Sequence, residues 1–192
     1  MWKGTQLTDY SGIVLFDPDA LTQFYGRIRT GTNLFKRFTR TTDGDEILKL
    51  GIVVPILAID DAGYTIIIRD AAEPSPIDPY VVVTNATYPF RVTREAVLAD
   101  LAVFRDWEAD LDWQRVPIPV GRYAVTIRGF RRIAKTRRKI LDAGYEFALR
   151  RVRKLPPVSA DTGANMRTLK LDDSAPRDSA ARASATAVKT SA

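Results

Sequence analysis

Apolar side chains spaced two apart mark the clearest structure in the chain. Across residues 121–130, Tyr123, Val125 and Ile127 alternate with small or polar neighbours, and across 144–150 Tyr145, Phe147 and Leu149 do the same. That spacing lines one face of a pleated strand, so the two segments predict a hairpin. Earlier, the apolar run 12–16 ends at Asp17-Pro18-Asp19, which predicts a buried strand and then a turn or brief helix with Asp17 as N-cap and Pro18 at its first position. Residues 51–59 and 64–69 are β-branched runs around Asp60-Asp61-Ala62-Gly63 and predict a second hairpin. Pro55 cannot donate a ladder hydrogen bond, which assigns its strand to an edge or a bulge. Residues 80–84 and 87–93 predict further strands. In 95–104, Val97, Ala99, Leu101 and Val103 alternate like a strand, while Val97, Leu101 and Phe104 also suit one helical face.

Two stretches lack a sustained period. Residues 22–50 mix glycines, cations and aromatics and predict a long loop insertion, with a loose hairpin between Phe24 and Phe38. After Leu155-Pro156-Pro157 the apolar content collapses into Ala, Ser, Thr and Asp, leaving too little surface to offset the entropy of ordering. Only 166–171 has the pattern to dock as an extra strand. The predicted organisation is therefore a mainly β, antiparallel β-sandwich domain over 1–157, with little helix, a long basic C-terminal hairpin and an insertion at about 22–50, followed by a flexible tail at 158–192 that is disordered from about residue 173 onward.

Composition narrows the chemistry. The chain has neither cysteine nor histidine, so it offers no disulfide, no thiolate nucleophile, no Cys/His zinc site and no imidazole base. No cofactor and no metal site is implied. Carboxylate-dependent hydrolysis on Asp17, Asp19, Asp60 or Asp106 stays open in principle, but none of these acids has a neighbour suited to tuning its pKa. No apolar run is long enough to cross a bilayer and the first ten residues lack a signal-peptide pattern, so a cytoplasmic location is expected.

The net charge of +6 is uneven. Residues 1–100 carry 10 Lys and Arg against 13 Asp and Glu, whereas residues 101–157 carry 14 against six. From Arg128 to Lys139 there are seven cations (Arg128, Arg131, Arg132, Lys135, Arg137, Arg138 and Lys139) and no acid. Such asymmetry suits a polyanion or an acidic partner, or a charge-guarded solvated edge. Phe24, Tyr25, Phe35 and Phe38 beside cations suit stacked bases, or simply anchor a loop to the core. Two acidic groups stand out as well, Asp43, Asp45 and Glu46 in one turn and Asp60 and Asp61 in another. A third acidic stretch, 106–112, lies between Trp107 and Trp113, a pattern that suits either a small pocket or tryptophans packed at the end of a sandwich.

The motifs at 7–16 (LTDYSGIVLF), 88–93 (YPFRVT), 119–126 (PVGRYAVT) and 144–149 (GYEFAL), with Leu155-Pro156, resemble those of the ComJ-like family of small β-sandwich proteins that inhibit nucleases. The resemblance implies a strand at 95–104 and a non-catalytic immunity or inhibitor protein acting on a nuclease or toxin partner. The contact surfaces expected from charge are the two acidic turns, against a cationic enzyme, or the arginine-rich hairpin, against an acidic one. The alternative is a nucleic-acid-binding protein that uses the hairpin at 128–139.

Overall fold

The computed structural model describes residues 1–135 and 139–170. In chain order these form β1 (Trp2–Thr8), β2 (Gly12–Phe16), α1 (Pro18–Tyr25), α2 (Leu34–Arg40), α3 (Asp43–Lys49), β3 (Val53–Leu57), β4 (Ala62–Asp70), β5 (Val81–Val92), β6 (Ala96–Asp100), β7 (Gln114–Val116), β8 (Gly121–Ile133) and β9 (Ile140–Arg151). Two sheets pack face to face. One has the order β1-β4-β9-β8-β5, the other β3-β2-β6-β7. The mainly β sandwich expected from the sequence is present, and all strand pairs are antiparallel except β4 with β9, which run parallel.

The β8–β9 hairpin forms as the alternation predicts. Ile127 stands opposite Phe147, and Val125 opposite Leu149. These four join Tyr123, Tyr145, Ile66, Ile68, Tyr88 and Phe90 on the face that meets the second sheet. In that sheet Ile13, Leu15 and Leu98 point into the same core, whereas Val14, Phe16 and Val97 point the other way into a second core under the helices. Burial on both faces explains why β2 and β6 are continuous apolar runs.

Three expectations are corrected. Residues 22–50 are not a loop or loose hairpin: most of them lie in α1, α2 and α3, which form a third layer. Asp17 caps α1 by accepting from the Ala20 N–H, and Asn33 caps α2 by accepting from the Lys36 N–H. Both helices are short, and packing holds them in place. Leu21 and Leu34 are fully buried, and Phe38 meets Phe104 edge-on. The aromatics of this stretch therefore anchor it to the core.

Second, β3 and β4 are not a hairpin. β3 pairs with β2, and β4 pairs with β1 and β9, so residues 58–61 arch from one sheet to the other. β3 is an edge strand, as Pro55 requires. Third, 95–104 is a strand only as far as Asp100; Leu101–Phe104 is a 3-10 turn. The Asp100 carboxylate accepts from the Ala102 N–H and starts that turn.

The C-terminal segment also differs from the tail boundary set at 158. The Thr87 carbonyl accepts from the Ser159 and Ala160 N–H groups, Asn85 exchanges hydrogen bonds with the Asp161 backbone, and Met166 enters the main core. This stretch closes one end of the sandwich as irregular chain rather than as a strand. Residues 171–192, which include the stretch where disorder is expected, and residues 136–138 lie outside the described residues.

Buried tyrosines make the fold sensitive to alkali. Burial, reinforced by the Asp60 carboxylate, pushes the Tyr64 phenol up to about 12. Burial, partly offset by the Asn85 amide, pushes Tyr88 up to about 12, and burial drives Tyr145 higher still. In the unfolded chain these phenols ionise near about 10. Between the two values the unfolded state has lost protons that the folded state keeps, so rising pH favours unfolding. Stability measured by denaturant midpoint is expected to lose no tyrosine contribution up to about pH 10 and then to fall progressively toward about pH 12. A constant midpoint through that window would contradict these burial environments.

Candidate functional site

The basic hairpin does not present its cations as one cluster. Arg128, at its base, is drawn down onto the outer face of the sheet: its guanidinium meets the Glu146 carboxylate at 2.8 and 2.9 Å and Asp78 at 2.7 Å. Glu146 is fully buried and also meets Arg69 Nε at 2.9 Å and the Ser75 hydroxyl. Arg69 is itself 7% exposed and donates to the carbonyls of Asp70 and Glu73. One carboxylate therefore holds two arginines from neighbouring strands and fastens residues 70–80 across the outer face of the sheet. Nearer the tip, Arg131 is half-buried, Arg132 lies over the Tyr80 ring at 5.2 Å, and Lys135 and Lys139 are exposed. Arg137 and Arg138 lie outside the described residues.

The two predicted acidic turns are separate and partly engaged. Asp43, Asp45 and Glu46 form the first turn of α3 rather than a loop, a position favoured by the helix dipole. Asp43 accepts from the Tyr25 hydroxyl at 2.9 Å and pairs with Arg37 at 3.2 Å, while Asp45 and Glu46 are exposed. Asp60 pairs with Arg167 at 3.5 Å, and Asp61 accepts from the backbone and hydroxyl of Ser11. Of the other acids considered for catalysis, Asp17 holds the Ala20 N–H and Thr93, and Asp19 pairs with Arg94 at 3.3 Å. Among the described residues no group of three or more acids converges to hold a metal ion.

A larger acidic surface lies elsewhere. Where the edge strand β1 passes the edge strand β7, a groove of about 900 Å³ is lined by residues of β1, the end of β6 and the 106–114 loop. Five of the lining side chains are carboxylates (Asp9, Asp100, Asp106, Glu108 and Asp112) and none is Lys or Arg. Asp100 is spent on the Asp9 and Ala102 N–H groups. The other four are exposed and make no ion pair among the described residues. Asp110, in the same loop, pairs with Arg115 at 2.6 Å instead.

Leu7 and Leu111 stand exposed at the groove, 67% and 52%. Trp107 is buried below the loop and packs against Phe16 and Phe104, and Trp113 lies beside it. Both tryptophans thus pack the loop onto the sandwich. The Gln114 side chain bridges to the Thr5 carbonyl at 2.8 Å. The 106–112 acids were visible as a sequence cluster. Asp9 and Asp100 were not, because the chain brings them together from positions 91 residues apart.

No family model and no curated protein matches the chain. Among solved structures it is similar to ComJ, the inhibitor of the DNA-degrading activity of NucA from Bacillus subtilis, with 14% identity over 79% of this chain and 96% of that one and a TM-score of 0.48. It is also similar to the protein titled crocagin biosynthetic gene J, with 15% identity over 80% of this chain and all of that one and a TM-score of 0.44.

The Glu146 centre has a measurable signature. Glu146→Ala leaves the buried Arg69 without a carboxylate and Arg128 with Asp78 alone, and is expected to lower stability by about 3–5 kcal/mol in denaturant unfolding. Replacing Glu146, Arg69 and Arg128 together by Leu, Met and Met is expected to recover most of that loss, since well-packed apolar groups substitute for buried ion pairs. A single variant as stable as the parent would contradict this pairing of the arginines.

Proposed function

We propose that this chain is a cytoplasmic, non-catalytic protein-binding module that neutralises a cationic nuclease or toxin partner through the acidic groove between β1 and β7. The observation that carries the reading is the groove's set of four exposed carboxylates, with no Lys or Arg in its lining among the described residues, beside two exposed leucines. Uncompensated charge of one sign repels itself and is relieved by a partner of the other sign. It also steers that partner's approach. The leucines supply the apolar contact that a charged rim alone lacks. The resemblance of the strand motifs to the ComJ-like family supplies the partner class. The remaining exposed charges singled out in the sequence, among them Asp45, Glu46, Arg132, Lys135 and Lys139, are available as rim contacts.

The test is capture from a lysate of the native cells with the parent protein and with an Asp9→Asn, Glu108→Gln, Asp112→Asn variant. None of these three side chains makes an ion pair among the described residues. The parent is expected to retain one basic protein in stoichiometric amount, whose nuclease or toxin activity falls on titration. The variant is expected to bind it on the order of ten-fold or more weakly, with the loss mainly in association rate and in salt dependence. Equal capture by the variant, or recovery of nucleic acid with no protein, would overturn the proposal.

A further inference from the structure

A second charged surface lies on the outer face of the five-stranded sheet, at the half away from β1 and so from the groove, and away from the hairpin tip. Arg91 of β5 stands directly across from Arg122 of β8. On the next strand Arg150 is opposite Ala124, one rung away and diagonal to Arg122. Phe90 and Tyr123, the alternate partners in the β5–β8 ladder, enter the core, so Arg91, Arg122 and Arg150 share the outer face. The ladder continues through the Val152 N–H to the Arg122 carbonyl, and Arg122 donates to the Arg153 carbonyl, which brings Arg153 and Lys154 to the same end. The Arg91 N–H donates to Gly51, which brings the end of α3, with Lys49, alongside.

Among the described residues none of these six cations pairs with a carboxylate. This contrasts with Arg69 and Arg128 of the same sheet, which pair with Glu146 and, for Arg128, also with Asp78. Like charges directly opposite across a ladder destabilise the pair, so the Arg91–Arg122 rung works against the fold and needs another reason. The neighbouring outer-face positions in the ladder are Pro89, Ala124 and Ala148, with the half-buried Val152 opposite Arg122, and none of these is an aromatic anchor of the kind that dominates protein interfaces. What the face offers is guanidinium groups at strand spacing. That arrangement suits the evenly spaced oxygens of a phosphodiester chain, which guanidinium groups grip in pairs. Contacts of this kind position a backbone without reading bases.

We infer that the Arg91–Arg122–Arg150 face binds the phosphate backbone of a nucleic acid without sequence preference. The site is independent of the acidic groove and of the cations at the hairpin tip.

The experiment is fluorescence anisotropy with a labelled mixed-sequence DNA strand and its duplex. With roughly four phosphates neutralised, affinity is expected to fall about a hundred-fold between about 50 and about 200 mM salt. At the lower salt, Arg122→Gln with Arg150→Gln is expected to weaken binding about ten-fold or more, and Lys135→Gln with Lys139→Gln to change it by less than about two-fold. Because the first pair of changes relieves like-charge repulsion, its melting temperature is expected to equal or exceed the parent's. No binding at about 50 mM salt would overturn the inference. So would loss in the hairpin variant instead of the sheet variant, or a lowered melting temperature in the sheet variant. Competition by polyglutamate as effective as by DNA of equal charge would reassign the face to an acidic protein and equally overturn it.

Discussion

Strand β9 is covered on both faces along residues 143–149, and that double burial is the constraint on which the rest of the structure depends. Its inward side chains, Tyr145, Phe147 and Leu149, fill the space between the sheets. Its outward side chain at the centre, Glu146, is an acid that is tolerated there because two arginines and a serine meet it. A lone buried carboxylate would cost several kcal/mol; here it draws β4, β8 and the 70–80 connection onto one point. Gly144 makes the parallel contact with β4 possible, since a Cβ at that position would overlap the Thr65 carbonyl. The Tyr145 hydroxyl then reaches the Met166 carbonyl and seats the C-terminal segment over the end of the core.

With β9 and its neighbours fixed, charge is distributed by topology rather than by local sequence. The carboxylates of the groove come from the start of the chain, the end of β6 and the loop before β7. They meet because the edges of both sheets lie at that side. The outer-face arginines come from β5, β8 and β9, the other half of the five-stranded sheet. Neither surface is carried by a flexible element alone, so both have the fixed geometry that recognition by charge requires.

What the sequence made legible follows the physics of each element. Alternation exposed the β8–β9 hairpin because one face of each strand packs against small or polar outer neighbours. Pro55 correctly marked an edge. The β3–β4 arch resembled a hairpin because local pattern records two strands and a short link, and does not record that the strands pair with different partners. The start of α1 was legible in Asp17 and Pro18, but α2 and α3 escaped because each is seven residues long and the layer owes its stability to Leu21, Leu34 and Phe38 packing on β2 and Phe104 rather than to propensity. Glu146 was hidden for a related reason, since an acid alternating with Tyr145 and Phe147 has the pattern of an ordinary solvent face. Arg128 counted as one more cation of the finger until Glu146 and Asp78 claimed it. At the groove, the 106–112 acids were readable as a cluster, whereas their union with Asp9 required the fold.

Native-state hydrogen exchange addresses the role of β9 most directly. The amides of Tyr145 to Leu149 and of Tyr123 to Ile127 are expected to exchange only through global unfolding, with α2 and α3 opening at lower free energy. Exchange of the β9 amides through local openings, as fast as those of the helical layer, would contradict the view that this doubly buried strand holds the molecule together.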